Sequence, residues 1–346
     1  MVTYIDTLTF LNYRDELLPV LDIRSPSEYS QGHIPGALSF PLFSDEERKT
    51  IGTLYKHSGK EKAFQVGLDI VGPKMSGFVK KATLYKRKKL LLYCWRGGKR
   101  SESMAWLLSQ AGYDCFVLTN GYKAYRHYIR EILELYTNYI VLGGMTGSNK
   151  TGILKSLRAK GEQVIDLEGL AHHRGSAFGH IGEPEQPTSE NFENLLFEEW
   201  RKCDNLRHIW LEDESRSIGR VVIPDCFYKN KKNAFLLVVE VPKSERIKHL
   251  VKEYTGIDDQ FLNDSILRIS KRLGGDRTQE CLTALHEKNY SAVADMSLTY
   301  YDKAYGFSMS DRANDTFFVL PLKDTSPDAG AEEVLKWYRD FHQKLK

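Results

Sequence analysis

The sequence predicts an α/β protein made of two parallel-sheet domains. Three observations carry this. Short apolar runs alternate with helix-like segments along the chain. Two of those runs end in a glycine-rich loop that opens a helix. A length of 346 residues exceeds what one average domain holds.

In order along the first part, residues 19–23 (PVLDI), 90–93 (LLLY) and 115–118 (CFVL) read as strands. The segment SESMAWLLSQ, closed by Gly112, is the helix between the last two. A helical stretch, AYRHYIREILELY, then leads to a new apolar strand at residues 139–142 (YIVL). This places the domains at residues 1–135 and 136–346. In the second, residues 163–167 (QVIDL), 208–212 (HIWLE), 234–241 (AFLLVVEV) and 317–322 (FFVLPL) read as strands with helical segments between and after them.

The composition is that of a folded chain, 41% hydrophobic and 27% charged. A formal charge of +3 neither demands nor excludes nucleic acid, so local clusters matter more. The densest cationic runs are residues 80–89 and 229–232, each of which reads first as a solvated face. Five scattered cysteines with no CxxC pair argue against a zinc ribbon or a disulfide framework and for a reducing compartment. No apolar run approaches the roughly 18 residues that a membrane span needs. The first residues carry acids and no apolar signal core. A cytoplasmic protein without a membrane partner is expected.

The first chemical motif is CWRGGKRS, residues 94–101. Cys94 ends an apolar strand and is followed by Arg96, Gly97, Gly98, Lys99, Arg100 and Ser101. Glycines let the backbone curl so that N–H groups face one point, and cations with a helix N-terminus lower a thiol pKa. Cys94 is therefore a candidate nucleophile in an anion-binding loop. Five residues separate Cys94 from Arg100, a spacing that also fits a phosphate monoester with Cys94 as nucleophile and Arg100 as clamp. The loop alone leaves chalcogen transfer and phosphoryl transfer open.

The second motif is GGMTGSNKTG, residues 143–152, between the strand YIVL and a helix. From Gly144 to Thr151 it follows G-x-x-x-x-G-K-[ST], with Asn149 in place of the last glycine. Asn tolerates positive φ best after Gly, so the loop survives the exchange. Gly144, Thr146, Gly147, Ser148, Asn149, Lys150 and Thr151 are the expected diphosphate site; Lys150 reaches a terminal phosphate and Thr151 can meet Mg²⁺. Glu212 and Asp213, at the end of HIWLE, are candidate Mg²⁺ or substrate partners. Polar residues also crowd DLEGLAHHRGSAFG (166–179), ESRSIGRVVIP (214–224) and KRLGGDRT (271–278). His172 and His173 lack a third ligand at fixed spacing, so no metal site is assigned. Contact with phosphate or RNA fits Glu168, His172, His173, Arg174, Arg216, Arg220 and Arg272 better. Residues 86–89 precede the strand that delivers Cys94 and so lie at its far end. The arginines, rather than this lysine run, are expected to line a path for nucleic acid.

The segment DIRSPSEYSQGHIPGA (22–37), followed by the cysteine loop, resembles the rhodanese family, though the usual sulfurtransferase loop is one residue shorter between cysteine and arginine. The resemblance implies a rhodanese-like α/β domain whose cysteine carries sulfur or a related chalcogen. A rhodanese-like domain joined to a P-loop NTPase-like domain narrows the field. CWRGGKRS, GGMTGSNKT, DLEGLAHHRGSAFG, EDESRSIGR and KRLGG, with PLFSDEER and GTLYK, together resemble the tRNA 2-selenouridine synthase family. Lys99 stands where Met is expected in that family. The resemblance implies two reactions on the wobble 2-thiouridine of tRNA. Geranyl diphosphate S-geranylates it, and selenium from selenophosphate then replaces the S-geranyl group. These two compounds are implied as co-substrates and no tightly bound cofactor is expected. A selenophosphate-supplying enzyme is a further implied partner. The competing readings are a sulfurtransferase fused to a P-loop kinase or NTPase, and a phosphatase of the Cys-x5-Arg type.

Overall fold

The structure, a computed structural model, describes residues 1–175, 179, 181–256, 258–309 and 317–344. The chain divides into two compact units, Met1–Ile132 and Leu133–Lys346.

The first unit runs β1 (Val2–Ile5), α1 (Thr7–Asp15), β2 (Val20–Asp22), α2 (Pro26–Gln31), β3 (Leu38–Ser39), α3 (Asp45–His57), α4 (Gly59–Val71), α5 (Met75–Ala82), β4 (Lys89–Tyr93), α6 (Lys99–Gln110) and β5 (Asp114–Leu118), with α7 (Gly121–Leu135) closing it. All strand pairings are parallel, in the order β1-β5-β4-β2-β3. β4 is central, and Leu90, Leu91, Leu92 and Tyr93 are fully buried, as expected of a parallel strand covered on both faces. That continuous burial is why it is legible as an unbroken apolar run. The motif PLFSDEER has a local explanation: Ser44 caps α3, Glu47 completes the capping box, and three acids fill the first turn.

The second unit runs β6 (Tyr139–Gly144), α8 (Lys150–Ala159), β7 (Val164–Ile165), α9 (Leu167–Ala171), α10 (Ser189–Trp200), β8 (Ile209–Glu212), β9 (Ser217–Ile218), β10 (Val221–Val222), α11 (Asp225–Asn233), β11 (Phe235–Glu240), α12 (Lys243–Tyr254), α13 (Asp259–Leu273), α14 (Gly275–His286), α15 (Tyr290–Met309), β12 (Phe317–Pro321) and α16 (Pro327–Lys344). Its five-stranded sheet is parallel, ordered β12-β11-β6-β8-β7, with β9 and β10 as a separate hairpin. The chain places β7 and β8 on one side of β6 and then crosses to β11 and β12 on the other, so the carboxyl end of β6 lies at the switch point where α/β sheets bind ligands.

Two expectations are corrected. The strand expected at residues 163–167 shrinks to Val164–Ile165, because the Asp166 carboxylate accepts from Gly169 N at 2.6 Å and starts α9 at Leu167. The cationic run at 229–232 is not simply a solvated face: Lys231 is fully buried, donating to Glu214 O at 2.6 Å. Between β11 and β12 the described residues build four helices with their own apolar cluster, including Leu262, Ile266, Cys281, Val293 and Leu298. Among the described residues no helix is long and apolar enough to cross a membrane.

Candidate functional site

In the first unit the site sits where β4 ends. Cys94 is 3% exposed, and the Ser101 hydroxyl lies 3.2 Å from its sulfur. The rear of the loop is fixed by α7, whose Tyr122 N donates to Cys94 O at 2.8 Å and Lys123 N to Trp95 O at 3.0 Å. The Gly98 carbonyl also faces the thiol, accepting from Ser101 Oγ at 3.1 Å. Gly97 adopts φ +61, and a Cβ on it would stand 2.6 Å from Leu118 O. Gly121 adopts φ +60, and a Cβ there would stand 2.2 Å from Cys94 O. Both glycines are demanded by this backbone-on-backbone approach. Gly121 is a contributor that the cysteine motif does not reveal.

The cations around Cys94 do not converge on it. Arg100 grips Glu28 with both guanidinium nitrogens, at 2.5 and 3.2 Å, and Lys99 pairs with Glu102 at 3.1 Å. Arg96 is exposed. Burial raises the Glu28 pKa, but the hydrogen bond and charge of Arg100 outweigh it and hold the carboxyl below its ordinary range. Asp22 and Arg24 of DIRSPSEYSQGHIPGA form a fully buried pair at 2.6 Å. Arg24 lies over the Tyr122 ring at 3.9 Å, and the Tyr93 hydroxyl donates to Asp22 at 2.8 Å. His33 stacks on Tyr29 at 3.9 Å. The motif is thus a polar brace beneath the loop, and none of these contacts is visible from spacing alone.

In the second unit the phosphate loop leads from β6 to α8. Asn149 takes the left-handed conformation, φ 59 and ψ 37. Its side chain donates to Thr325 O at 2.9 Å and lies so close over Gly152 that a Cβ there would be 2.3 Å from Oδ1. Lys150 Nζ donates to Gly144 O at 2.9 Å. Thr151 donates to Glu168 at 2.7 Å. Ser148 is fully buried, and its hydroxyl has no partner among the described residues. Behind the loop, buried Arg246 pairs with Asp302 at 2.8 and 2.9 Å and donates to Thr146 O at 3.1 Å. That brace comes from α12 and α15, far along the chain, and carries no local signal.

The loop opens into a cavity of about 1280 Å³. Of the residues singled out by sequence, Gly144, Thr146, Gly147, Asn149, Lys150, Thr151, Glu168, His173, Arg174, Asp213 and Arg272 line it. Glu212, His172, Arg216, Arg220 and Ser148 do not. Arg216 is exposed and pairs with Asp225, and Arg220 faces Glu185 at 3.7 Å, both in the β9–β10 hairpin region rather than at a strand end. His172 caps α9 with φ 51, its Nδ1 2.8 Å from Glu185 O. Residues 176–178 of the 166–179 segment lie outside the described residues.

Carboxyl groups crowd one wall. Glu212, buried at the end of β8, accepts from Leu167 N at 2.7 Å and Glu168 N at 3.3 Å, so it faces the start of α9. Asp213 meets Lys231 at 3.4 Å. The Glu168 and Glu214 carboxyls both press on Gly175, where a Cβ would lie 2.6 Å from Glu214 and 2.8 Å from Glu168. Burial, then the Glu168 charge, pushes Glu214 up to about 8; burial, then Glu168 and Asp166, pushes Glu212 well above its ordinary range. Among the described residues no group of three His, Cys, Asp or Glu side chains is arranged to hold a metal ion. Sequence does not reveal the carboxyl pair beside Thr151, because Glu168 and Glu214 follow different strands.

Comparison with known proteins places this geometry. The model of the tRNA 2-selenouridine synthase AAA domain matches residues 137–325, and that of the rhodanese-like domain matches residues 10–128. Relatives described as tRNA 2-selenouridine synthase include that of Shewanella halifaxensis (strain HAW-EB4), 36% identical over 87% of this chain and 91% of its own length. That of Shewanella denitrificans (strain OS217) is 33% identical over 87% and 90%. That of Nitrosomonas europaea is 36% identical over 72% of this chain and 66% of its own. A thiol at the end of one parallel sheet, a phosphate loop at the end of another, and likeness along nearly the whole length lead to one conclusion: this chain belongs to the tRNA 2-selenouridine synthase family.

Proposed function

We propose that this chain replaces the sulfur of wobble 2-thiouridine in tRNA with selenium in two steps. In the first, the 2-thio group attacks the first carbon of geranyl diphosphate, the carbon–oxygen bond breaks, and diphosphate leaves. In the second, the selenium of selenophosphate attacks C2 and geranylthiol leaves with a proton; water then cleaves the Se–P bond, releasing inorganic phosphate and leaving the 2-seleno group. Alkylation makes the sulfur a good leaving group, which is the chemical reason for the detour.

The carrying observation is that one chain holds two strand ends that turn through glycines into helices and carry different side chains. The phosphate loop of domain 136–346 opens into a large cavity with Lys150 at its base, which suits the diphosphate leaving group. Gly144, Thr146, Gly147, Ser148, Asn149, Lys150 and Thr151 are assigned to it. The loop of domain 1–135 presents the soft nucleophile Cys94 within a glycine turn, which suits the selenium step. Gly97, Gly98 and Ser101 shape that turn, with Arg96 beside it. The withdrawal of Arg100 to Glu28 speaks against a phosphatase, whose arginine must clamp the phosphate. Any Mg²⁺ would meet the Thr151–Glu168 pair rather than Glu212, which is committed to α9; its chemistry would be charge neutralisation of the diphosphate.

Nucleoside mass spectrometry tests the reading. Incubation of the protein with 2-thiouridine-containing tRNA and geranyl diphosphate should yield the S-geranyl nucleoside, and addition of selenophosphate should convert it to the 2-seleno nucleoside. A folded protein that forms neither product refutes the proposal.

A further inference from the structure

We propose that the cavity wall built by α13 and α15 is the docking surface for one unpaired nucleotide, its base against Tyr300 and Tyr301 and its phosphate on Lys271 and Arg272. The proposal rests on the reading of the chain as a tRNA-modifying enzyme and adds where the nucleotide is held.

Arg268, Lys271 and Arg272 stand at i, i+3 and i+4 of α13, hence on one face, and all three line the cavity. Cations in a last helical turn are ordinarily explained by the helix dipole. That explanation does not account for what lies beside them. Arg272 donates to the Tyr300 hydroxyl at 2.9 Å, a neutral partner that fixes the guanidinium without cancelling its charge. Tyr300 and Tyr301 stand 5.0 Å apart at 55°, so the pair is tilted and the rings do not cover each other face to face. Tyr228, Tyr254 and Tyr305 line the same cavity. Any base stacks on such rings, because every base has a π-face, and phosphates follow the cations. Bases inside a duplex have both faces covered by neighbours, so the surface selects an unpaired or extruded nucleotide.

The register of α15 ties this wall to the phosphate loop. Tyr305 accepts a hydrogen bond from Gly144 N at 2.8 Å. Tyr301 precedes it by one turn, about 6 Å along the axis. A base on Tyr301 therefore lies about one helical turn from the phosphate loop. The cavity volume of about 1280 Å³ exceeds the roughly 300–1,000 Å³ of common small-molecule pockets, which leaves room for a nucleotide beside a diphosphate.

The test is binding of a short labelled single-stranded RNA and of a duplex to the full chain across a salt series. Tyr300→Leu and Tyr301→Leu keep apolar bulk against the helical cluster but remove stacking. They should weaken single-strand binding by roughly five- to a hundredfold each, with inorganic pyrophosphate binding unchanged as the check on folding. Tyr301→Phe should bind as the parent does. Arg272→Ala should reduce the magnitude of the slope of log K against log salt by about 0.7. Unchanged single-strand binding in both leucine variants overturns the proposal, as does equal weakening for duplex. If the leucine variants lose single-strand binding but the parent protein makes no modified nucleoside, the functional reading fails and the docking surface stands. If tRNA is modified and those variants still bind as the parent does, only the docking surface fails.

Discussion

The ends of β4 and β6 use the same backbone device and surround it differently. Each is a buried central strand of a parallel sheet that runs through a glycine turn into a helix N-terminus. At β4 the turn closes on α7 and holds a nearly buried thiol, while Arg100 and Lys99 are taken up by carboxylates. At β6 the turn opens into a wide cavity with Lys150 at its base and carboxyl and tyrosine walls. The backbone makes a glycine turn in both, and the neighbouring side chains make one a closed setting for a thiol and the other an open cavity.

The largest effect that tests this contrast is chemical. Cys94→Ala should abolish selenium incorporation and leave S-geranylation intact, read by nucleoside mass spectrometry. Loss of both activities in a folded variant would collapse the two loops into one site. Gly121→Ala should follow: forcing an ordinary residue to φ +60 costs about 1–3 kcal/mol, and its Cβ would also meet Cys94 O at 2.2 Å. Thermal unfolding should show the first unit destabilised, and an unchanged melting temperature would mean the turn is less rigid than drawn. Lys150→Ala should reduce the use of geranyl diphosphate roughly tenfold or more, the loss of about 1.5–3 kcal/mol of charge-assisted hydrogen bonding. Unaltered geranylation kinetics would make the loop structural.

The next effect is on pH dependence. A carboxyl group whose folded pKa is raised stabilises the fold fully below its ordinary value of 4.5 and loses that contribution as pH rises through about 8, the position of Glu214. Stability of the second unit should therefore fall between about pH 5 and 8. Glu214→Gln, which cannot ionise, should flatten the fall, measured by denaturant unfolding across pH. An equally steep profile in the variant would assign the dependence elsewhere. The smallest effect is expected at Arg216. It is exposed, paired with Asp225 and outside the cavity. Arg216→Ala should leave the salt slope of tRNA binding unchanged, against the loss of about 0.7 to 0.9 that a direct phosphate contact would give.

The sequence by itself determined the parallel α/β class, the central strands and both loops. Those are local: apolar runs, glycines where φ is positive, and an Asn that accepts the left-handed conformation at position 149. Cys94, Lys150 and Thr151 are legible because their chemistry and their backbone setting are contiguous. Only the tertiary structure decided what surrounds them. Whether Arg100 clamps a phosphate or binds Glu28 depends on a contact spanning 72 positions. The Thr151–Glu168–Glu214 cluster joins three strand ends, and the Arg246–Asp302 brace joins helices 56 positions apart. The burial of Lys231 inverts the ordinary meaning of a lysine run. A charged side chain carries no mark of its partner, because the partner is set by sheet order and helix packing, whereas a turn or a strand is set by the residues that form it.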